Sequence, residues 1–204
     1  MTADIIIQNK ILPLFCHADA ELAKKAVHAC YDAGLRCFEY TNRVPEAPEV
    51  FYALKQYCTA SLPGMLLGVG TIKNEADAGM FPTADFYVSP FITAPLLKLM
   101  GVKKQLWIPG CSTASEIALA VAAGIPLVKI FPANLLGGPA FIKAMKEIFP
   151  ATKMLATGAM RADKAVLREW FDAGTDAVGI GSQLFGKNGI DALQVEATLK
   201  NLLQ

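Results

Sequence analysis

Lys129 is the residue whose type and setting best suit covalent chemistry. It stands in the apolar run Leu127–Phe131, where strand alternation would turn it to the same face as Leu127 and Phe131. Burial disfavours the charged form of a lysine and lowers its pKa, which leaves the unprotonated amine that attack on a carbonyl carbon requires. The alternative is a structural lysine that reaches solvent at the strand end or pairs with a carboxylate.

Glu39 is a second charged residue in an apolar run, Cys37–Tyr40. The same alternation places Glu39 on one face with Cys37 and Thr41. Its carboxylate could serve only as a partner for Lys129, or it could be the acid and base that moves protons during imine chemistry. The two roles are compatible, because a lysine and a carboxylate in one apolar pocket titrate as a coupled pair.

Arg43 and three hydroxyl residues follow other apolar runs. A guanidinium can bind a carboxylate with two parallel hydrogen bonds, so Arg43 is either a substrate ligand or an ordinary surface arginine. Thr71, Thr157 and Ser182 each continue the inward alternation of the apolar residues before them. We therefore expect these small hydrogen-bonding groups to face the same interior as Lys129.

Eight short apolar runs predict β-strands that are buried on both faces. These runs are Ile11–Phe15, Arg36–Tyr40, Met65–Val69, Phe86–Ser89, Leu106–Pro109, Leu127–Phe131, Met154–Thr157 and Ala177–Gly181. Apolar residues at helical spacing lie between several of them. The clearest helical segments, each followed by a glycine suited to a helix C-cap, are Ala20–Ala33, Thr113–Ala123 and Asp163–Ala173, with Gly34, Gly124 and Gly174.

The alternation of strand and helix predicts a single α/β domain over residues 1–204, a closed (β/α)8 TIM barrel. Right-handed crossovers and eight twisted parallel strands favour closure. An open doubly wound sheet would usually carry glycines after its first strand, and Phe15–Ala18 contains none. Residues 1–10 are expected to form a helix or an arm before the barrel.

Glycine-containing turns follow the last two predicted strands. Gly158 comes after the seventh strand, and Gly179–Ser182 ends the eighth. Barrels commonly bind phosphate there with backbone N–H groups. The alternative is ordinary tight-turn geometry.

Composition excludes several classes of partner and cofactor. The 19 basic and 18 acidic residues leave no charge excess for binding nucleic acid or an anionic membrane. We see neither a membrane-spanning run nor a secretory signal. Five cysteines without a Cys-x-x-Cys pair and only two histidines indicate buried thiols in a reducing cytoplasm, with no metal site.

Taken together, these motifs resemble the 2-keto-3-deoxy-6-phosphogluconate / 4-hydroxy-2-oxoglutarate (KDPG/KHG) aldolase family of class I aldolases. The resemblance extends from about Leu12 to Phe185. It rests on motifs in the same order and at similar spacing: Phe38–Arg43, Gly68–Thr71, Ser89–Pro90, Ile108–Thr113, Lys129–Ala133, Thr157–Gly158 and Gly179–Ser182.

The resemblance implies cleavage of a 2-keto-3-deoxy sugar acid phosphate, or of 4-hydroxy-2-oxoglutarate, to pyruvate and an aldehyde. It implies no cofactor, a homotrimer and a place in Entner–Doudoroff carbohydrate metabolism. Lys129 would form the Schiff base and Glu39 would be the general acid and base. The implied substrate-binding residues are Arg43, Thr71, Pro90 and Thr157 for the pyruvate half, and Gly158, Ala159, Gly181 and Ser182 for the phosphate. Phe131 is also expected to contact the substrate.

Two positions depart from the family pattern. Ala159 stands where a second glycine is usual, which keeps the backbone N–H but narrows the approach of a phosphate. Asn42 stands where an apolar residue usually precedes the arginine. Both changes concern the aldehyde half of the substrate.

Two other functions remain compatible with the sequence. A phosphate-binding barrel isomerase or synthase would use the glycine turns without an imine-forming lysine. A non-catalytic keto-acid or sugar-phosphate sensor could share the fold. The combination of Lys129 with Glu39 favours the aldolase, because burying two ionisable groups is unfavourable without a function that needs them.

Overall fold

The computed structural model describes residues 2–103, 105–186 and 190–204. Nine strands are present in this part of the chain: β1 Ile11–Phe15, β2 Cys37–Thr41, β3 Leu66–Gly70, β4 Phe86–Val88, β5 Leu106–Ile108, β6 Gly110–Cys111, β7 Leu127–Ile130, β8 Lys153–Thr157 and β9 Ala177–Ile180. The helices are α1 Thr2–Asn9, α2 Ala20–Asp32, α3 Ala47–Ser61, α4 Glu75–Gly79, α5 Ala94–Lys103, α6 Ala114–Ala122, α7 Pro139–Ile148, α8 Lys164–Asp172, α9 Ser182–Phe185 and α10 Ala192–Leu203.

All paired strands are parallel, in the order β5-β4-β3-β2-β1-β9-β8-β7-β6. The two ends of this order, β5 and β6, are consecutive in the chain and separated only by Pro109. β5 pairs with β4, whereas β6 pairs with β7, and the Lys129 N–H also donates to the Pro109 carbonyl at 2.8 Å. The predicted TIM-type barrel is therefore confirmed as a nearly closed barrel.

The prediction of eight strands needs one correction. The fifth expected strand, Leu106–Pro109, ends one residue early as β5 because Pro109 has no N–H to donate to a ladder. A short strand that was not predicted, β6, follows it at Gly110–Cys111. The other seven occur within one residue of their predicted bounds, and Ile11–Phe15 matches its prediction at both ends.

The lower interior of the barrel is apolar. Side chains from β1, β2, β4, β5, β7, β8 and β9 form one buried cluster there, and Ile6 of α1 packs into it from below. Leu127 belongs to this interior cluster, whereas Val128 and Ile130 belong to the cluster that includes the surrounding helices. The inward alternation predicted for this strand is confirmed.

The three Ala-Gly repeats share one helix ending. Gly34, Gly124 and Gly174 all have positive φ, and each donates its N–H three residues back, to Tyr31, Val121 and Phe171. The next residue donates five residues back in every case. This is the Schellman motif, which turns each of the helices α2, α6 and α8 toward the following strand.

Two equivalent carboxylate clusters tie helices to the sheet at the amino ends of the strands. Asp85 accepts from Lys55 Nζ at 2.6 Å and from the Leu67 N–H at 2.7 Å. Asp176 accepts from Lys146 Nζ at 2.9 Å and from the Met154 N–H at 3.0 Å, and Lys153 Nζ lies 3.0 Å from its other oxygen. The same arrangement, an aspartate that joins a helix lysine to a strand N–H group, thus occurs in both halves of the barrel.

No helix in residues 2–103, 105–186 or 190–204 is long and apolar enough to cross a bilayer. The cysteines act as small core residues in four cases, since Cys30, Cys37, Cys58 and Cys111 are buried. Burial raises the pKa of Cys37 and of Cys111 to about 12, which suppresses their reactive thiolate form.

Asp176→Asn is expected to lower the free energy of unfolding at pH 7 by about 1–3 kcal/mol. The three interactions that Asp176 accepts become weaker when its side chain loses its negative charge. Burial opposes ionisation of Asp176, but its bonds from Lys146, Met154 and Lys153 outweigh burial and lower its pKa from 3.8. The stabilisation therefore exists above the unfolded-state pKa and is lost as the pH falls through the folded-state pKa. Urea unfolding at pH 7 and at about pH 3.5 tests this: the difference should shrink in acid. The matched control is Asp172→Asn, whose side chain is 72% exposed.

Candidate active site

The carboxyl ends of β1, β2, β7, β8 and β9 surround a cavity of about 350 Å³. This is the end of a parallel barrel at which catalytic residues are expected. The lining residues are Leu14, Phe15, Cys16, Thr41, Arg43, Phe131, Thr157, Gly158, Ala159, Met160, Gly179, Gly181, Ser182, Gln183, Phe185 and Gly186.

Lys129 lies in β7 beside this cavity, with 3% of the residue exposed. Its Nζ is 4.9 Å from the centroid of the Phe131 ring, over the ring face, and Phe131 lines the cavity. Burial lowers the pKa of Lys129; the Glu39 carboxylate acts in the opposite direction, and Arg43 lowers the pKa further. The neutral amine is thereby favoured.

Glu39 projects from β2, which is separated from β7 by β1, β9 and β8, and it is 1% exposed. Neither of its carboxylate oxygens has a hydrogen-bond partner among the described residues. Burial raises the pKa of Glu39, whereas the positive charges of Lys129 and Arg43 oppose that rise. Burial thus shifts Glu39 toward its protonated form and Lys129 toward its neutral form, the directions that suit proton donation by one and nucleophilic attack by the other.

Arg43 and Thr71 form a unit at the rim. Arg43 Nε donates to Thr71 Oγ1 at 3.1 Å, and the Arg43 N–H donates to the Thr41 carbonyl at 2.9 Å. Thr71 has φ of 65°, which is rare for a β-branched residue and strained. The strained turn directly after β3 presents the hydroxyl to Arg43 and holds the guanidinium at the cavity.

The turn after β8 brings Thr157, Gly158 and Ala159 to the cavity wall. Thr157 is 6% exposed, and its Oγ1 has no partner among the described residues. Gly158 has φ of 134° and Ala159 has φ of 47°. The φ of Gly158 favours glycine, and a Cβ there would also lie 2.8 Å from Asn134 Oδ1 and 3.1 Å from the Ala133 backbone nitrogen, both in the turn after β7.

The turn after β9 forms the opposite wall. Gly181 and Ser182 both line the cavity, and the Gly181 carbonyl accepts from the Leu184 N–H at 2.9 Å, which begins the short helix α9. Residues of the two turns thus line one cavity, and they carry backbone N–H groups. Such an arrangement can bind an anion.

Seven of the residues predicted from the sequence to bind substrate line this cavity: Arg43, Phe131, Thr157, Gly158, Ala159, Gly181 and Ser182. Lys129 and Glu39 are buried beside it, and Thr71 is connected to it through Arg43. Pro90 and Asn42 are not among the described residues that line the cavity.

Pro90 belongs to a supporting layer. A Cβ at Gly110 would be 2.1 Å from the Pro90 carbonyl oxygen, so the chain between β5 and β7 packs closely against it. Ser89 Oγ donates to the Phe91 carbonyl at 2.8 Å and accepts from Trp107 Nε1 at 2.9 Å. These bonds hold the turn that contains Pro90.

Several lining residues were not assigned to the site from the sequence. Thr41 and Cys16 follow the strand-end rule that identified the others, so the same signal could have found them. Gln183, Phe185 and Met160 carry no such signal, because their positions depend on how the turns after β8 and β9 fold. Within the described ranges, no three His, Cys, Asp or Glu residues lie together in a way that could hold a metal ion.

Lys129→Met is expected to raise the free energy of unfolding at pH 7 by about 1 kcal/mol or more, because methionine fills similar space without an amine to desolvate. Since the folded-state pKa of Lys129 is lowered, the penalty of the wild-type lysine is full below that pKa. It disappears as the pH rises to the unfolded value of 10.5. Thermal unfolding from pH 7 to about pH 10 should show a shrinking gain.

The control is Lys146→Met, which removes a partner of Asp176 and should lower the Tm instead. An unchanged or lower Tm for Lys129→Met at pH 7 would contradict the unfavourable desolvation of Lys129.

Known proteins match this chain in sequence and in fold. A sequence model of the family described as "Aldolase: KDPG and KHG aldolase" matches residues 3–200. The 2-dehydro-3-deoxy-phosphogluconate aldolase of Treponema pallidum is 34% identical over 152 residues, which cover 73% of this chain and 70% of that protein. The 2-dehydro-3-deoxy-6-phosphogalactonate aldolase of Escherichia coli is 30% identical over 162 residues, covering 78% and 76% respectively.

A solved structure agrees in fold. The 2-keto-3-deoxy-6-phosphogluconate aldolase of Zymomonas mobilis with 3-phosphoglycerate has a TM-score of 0.88 at 25% identity, covering 98% of this chain and 93% of that one. The match of the family model over nearly the whole chain agrees with the resemblance inferred from the motifs. The chain therefore belongs to the KDPG and KHG aldolase family of carbon–carbon lyases.

Proposed function

We propose that this chain cleaves a phosphorylated 2-keto-3-deoxy sugar acid to pyruvate and an aldehyde through an imine on Lys129. The observation that carries the proposal is a buried lysine together with a buried carboxyl group beside the barrel-end cavity, the latter without a hydrogen-bond partner among the described residues. Their pKa values are shifted toward the amine and the acid forms. Both forms are needed before the first step.

Imine formation uses these two groups in turn. Lys129 Nζ attacks the C2 carbonyl of the keto acid, and a proton moves from nitrogen to oxygen to give a carbinolamine. Glu39 then donates its proton to the departing hydroxyl, and water leaves. The products are a protonated imine and the Glu39 carboxylate, and the Phe131 ring face stabilises the new cation.

Cleavage restores the proton to Glu39. The carboxylate removes the proton of the C4 hydroxyl, and the C3–C4 bond breaks as the aldehyde carbonyl forms. The electron pair of that bond forms the C2=C3 double bond, and the C=N pair moves to nitrogen, which gives a neutral enamine. Glu39 next protonates the enamine at C3 and again becomes a carboxylate. It finally takes a proton from the water that attacks the imine, and pyruvate and neutral Lys129 are released.

The remaining residues position the substrate. Arg43, held by Thr71, and the Thr157 hydroxyl would bind the carboxylate of the keto acid. Backbone N–H groups of Gly158, Ala159, Gly181 and Ser182 would bind the phosphate of the aldehyde half. The relatives named phosphogluconate and phosphogalactonate aldolases support this assignment, as does the Zymomonas structure with 3-phosphoglycerate.

We also propose a homotrimer, a cytoplasmic location and a role in Entner–Doudoroff metabolism. The family resemblance supports the trimer and the pathway. Free, mostly buried cysteines support a reducing compartment.

Borohydride reduction in the presence of pyruvate is expected to add one pyruvyl group to the wild-type protein, with Lys129 as the modified residue. Intact mass followed by peptide mapping measures this. Lys129→Met should show no adduct and a loss of cleavage activity of at least about 10³-fold, since methionine has no amine to form the covalent intermediate.

The matched control is Lys200→Met, at an exposed lysine of α10, which should be labelled like the wild type. An adduct on another lysine, or near-normal cleavage by Lys129→Met, would refute the proposed role of Lys129.

Ser182→Asp is expected to lower kcat/KM for the phosphorylated substrate by at least about tenfold, because a carboxylate at this wall repels a phosphate and removes a donor. Activity with 4-hydroxy-2-oxoglutarate, which has no phosphate, should change much less. Steady-state kinetics with both substrates measure the difference, with Ser182→Ala as control for the loss of the hydroxyl alone. Equal losses for both substrates would place the phosphate elsewhere.

A further inference from the structure

The carboxyl group of Glu39 occupies space that a side chain at position 70 would fill. A Cβ built on Gly70 would lie 1.7 Å from Glu39 Oε1 and 2.6 Å from its Cδ. No real Cβ approaches an oxygen so closely. Glu39 and Gly70 lie on neighbouring strands, β2 and β3, in a ladder that pairs Glu39 with Gly68 and Thr41 with Gly70.

Two residues on the interior face of β3, Gly68 and Gly70, have no side chain. A Cβ on Gly68 would lie 2.1 Å from the Phe86 ring, so the first glycine makes room for an aromatic side chain of β4. Gly70 makes room for the Glu39 carboxyl group in the layer above. Because β3 sends no side chain inward at these points, its neighbours reach across it.

The second unpartnered polar group of the site is placed by the same means. A Cβ on Gly179 of β9 would lie 2.7 Å from Thr157 Oγ1, and Thr157 belongs to the adjacent strand β8. Glu39 and Thr157 are thus both buried, and their side-chain oxygens have no hydrogen-bond partners among the described residues. Each side chain occupies the space beside a glycine of the neighbouring strand. Since no described residue donates a hydrogen bond to the Glu39 carboxyl group, its position depends on the space around it and on the charges of Lys129 and Arg43.

We propose that Gly70 is a positioning residue, which places the Glu39 carboxyl group beside Lys129 by leaving the interior face of β3 empty. This inference rests on the proposed acid–base role of Glu39. A methyl group at position 70 would displace the carboxyl group by more than about 1 Å, which is enough to reduce proton transfer by about 100-fold. The imine-forming lysine, on the other side of the barrel, would stay in place.

The test is a double-mutant cycle on the full chain with Gly70→Ala and Glu39→Asp. Aspartate is one methylene shorter, so its carboxyl group draws back from the Cβ at position 70. The measured quantity is the rate at which pyruvate methyl protons exchange with D2O, followed by NMR, because this exchange requires an enamine on Lys129 and a proton carrier. Glu39→Gln measures the contribution of the carboxyl group itself.

The expected result is exchange about 100-fold slower for Gly70→Ala and about tenfold faster for the double variant than for Gly70→Ala alone. The control is Gly79→Ala, where a Cβ meets nothing within 4 Å, and it should exchange at the wild-type rate. A merely structural role for Gly70 would not be rescued by shortening the acid.

The outcomes separate the two claims. Normal exchange by Glu39→Gln would overturn the proposed role of Glu39. Slow exchange by Glu39→Gln together with normal exchange by Gly70→Ala, or failure of Glu39→Asp to improve Gly70→Ala, would overturn the role of Gly70. If Gly70→Ala does not fold, the Tm is the readout: the double variant should recover a cooperative transition, and its failure to do so would also overturn the proposal.

Discussion

Desolvation of two ionisable side chains is the constraint on which the site depends. An amine and a carboxyl group held in an apolar barrel are destabilised in their charged forms, and here burial shifts both toward neutrality. The apolar layer beneath them and Ile6 of α1 keep water from the lower interior. The same burial that prepares Lys129 for attack and Glu39 for proton donation makes this part of the barrel intrinsically less stable.

Room for these groups comes from missing side chains. Gly70 and Gly179 leave gaps on interior strand faces, and Glu39 and Thr157 fill them without hydrogen-bond partners among the described residues. A carboxyl group confined by shape is free to exchange protons with successive intermediates, whereas one held by strong donors would be locked in its ionised form. The strained backbone at Thr71 also positions a side chain of the site, because this turn directs the Thr71 hydroxyl to Arg43 at the rim of the cavity.

Stabilising interactions are concentrated at the opposite end of the strands. The carboxylate clusters of Asp85 and Asp176 each join a helix lysine to the first part of a strand. Three Schellman endings return helices to the sheet with one geometry. Reactive and supporting functions are thus separated along the barrel axis, as in other enzymes built on parallel barrels.

The sequence by itself determined the alternation of strands and helices, and with it the inward direction of Lys129 and Glu39, because side-chain direction in a strand follows from position alone. It also identified the turns at Gly158 and Gly181. Only the tertiary structure decided that strand pairing changes at Pro109, that Thr71 holds Arg43, and that Gly70 leaves the space that Glu39 occupies. These features join residues on different elements, and no periodicity along one chain encodes the distance between two strands.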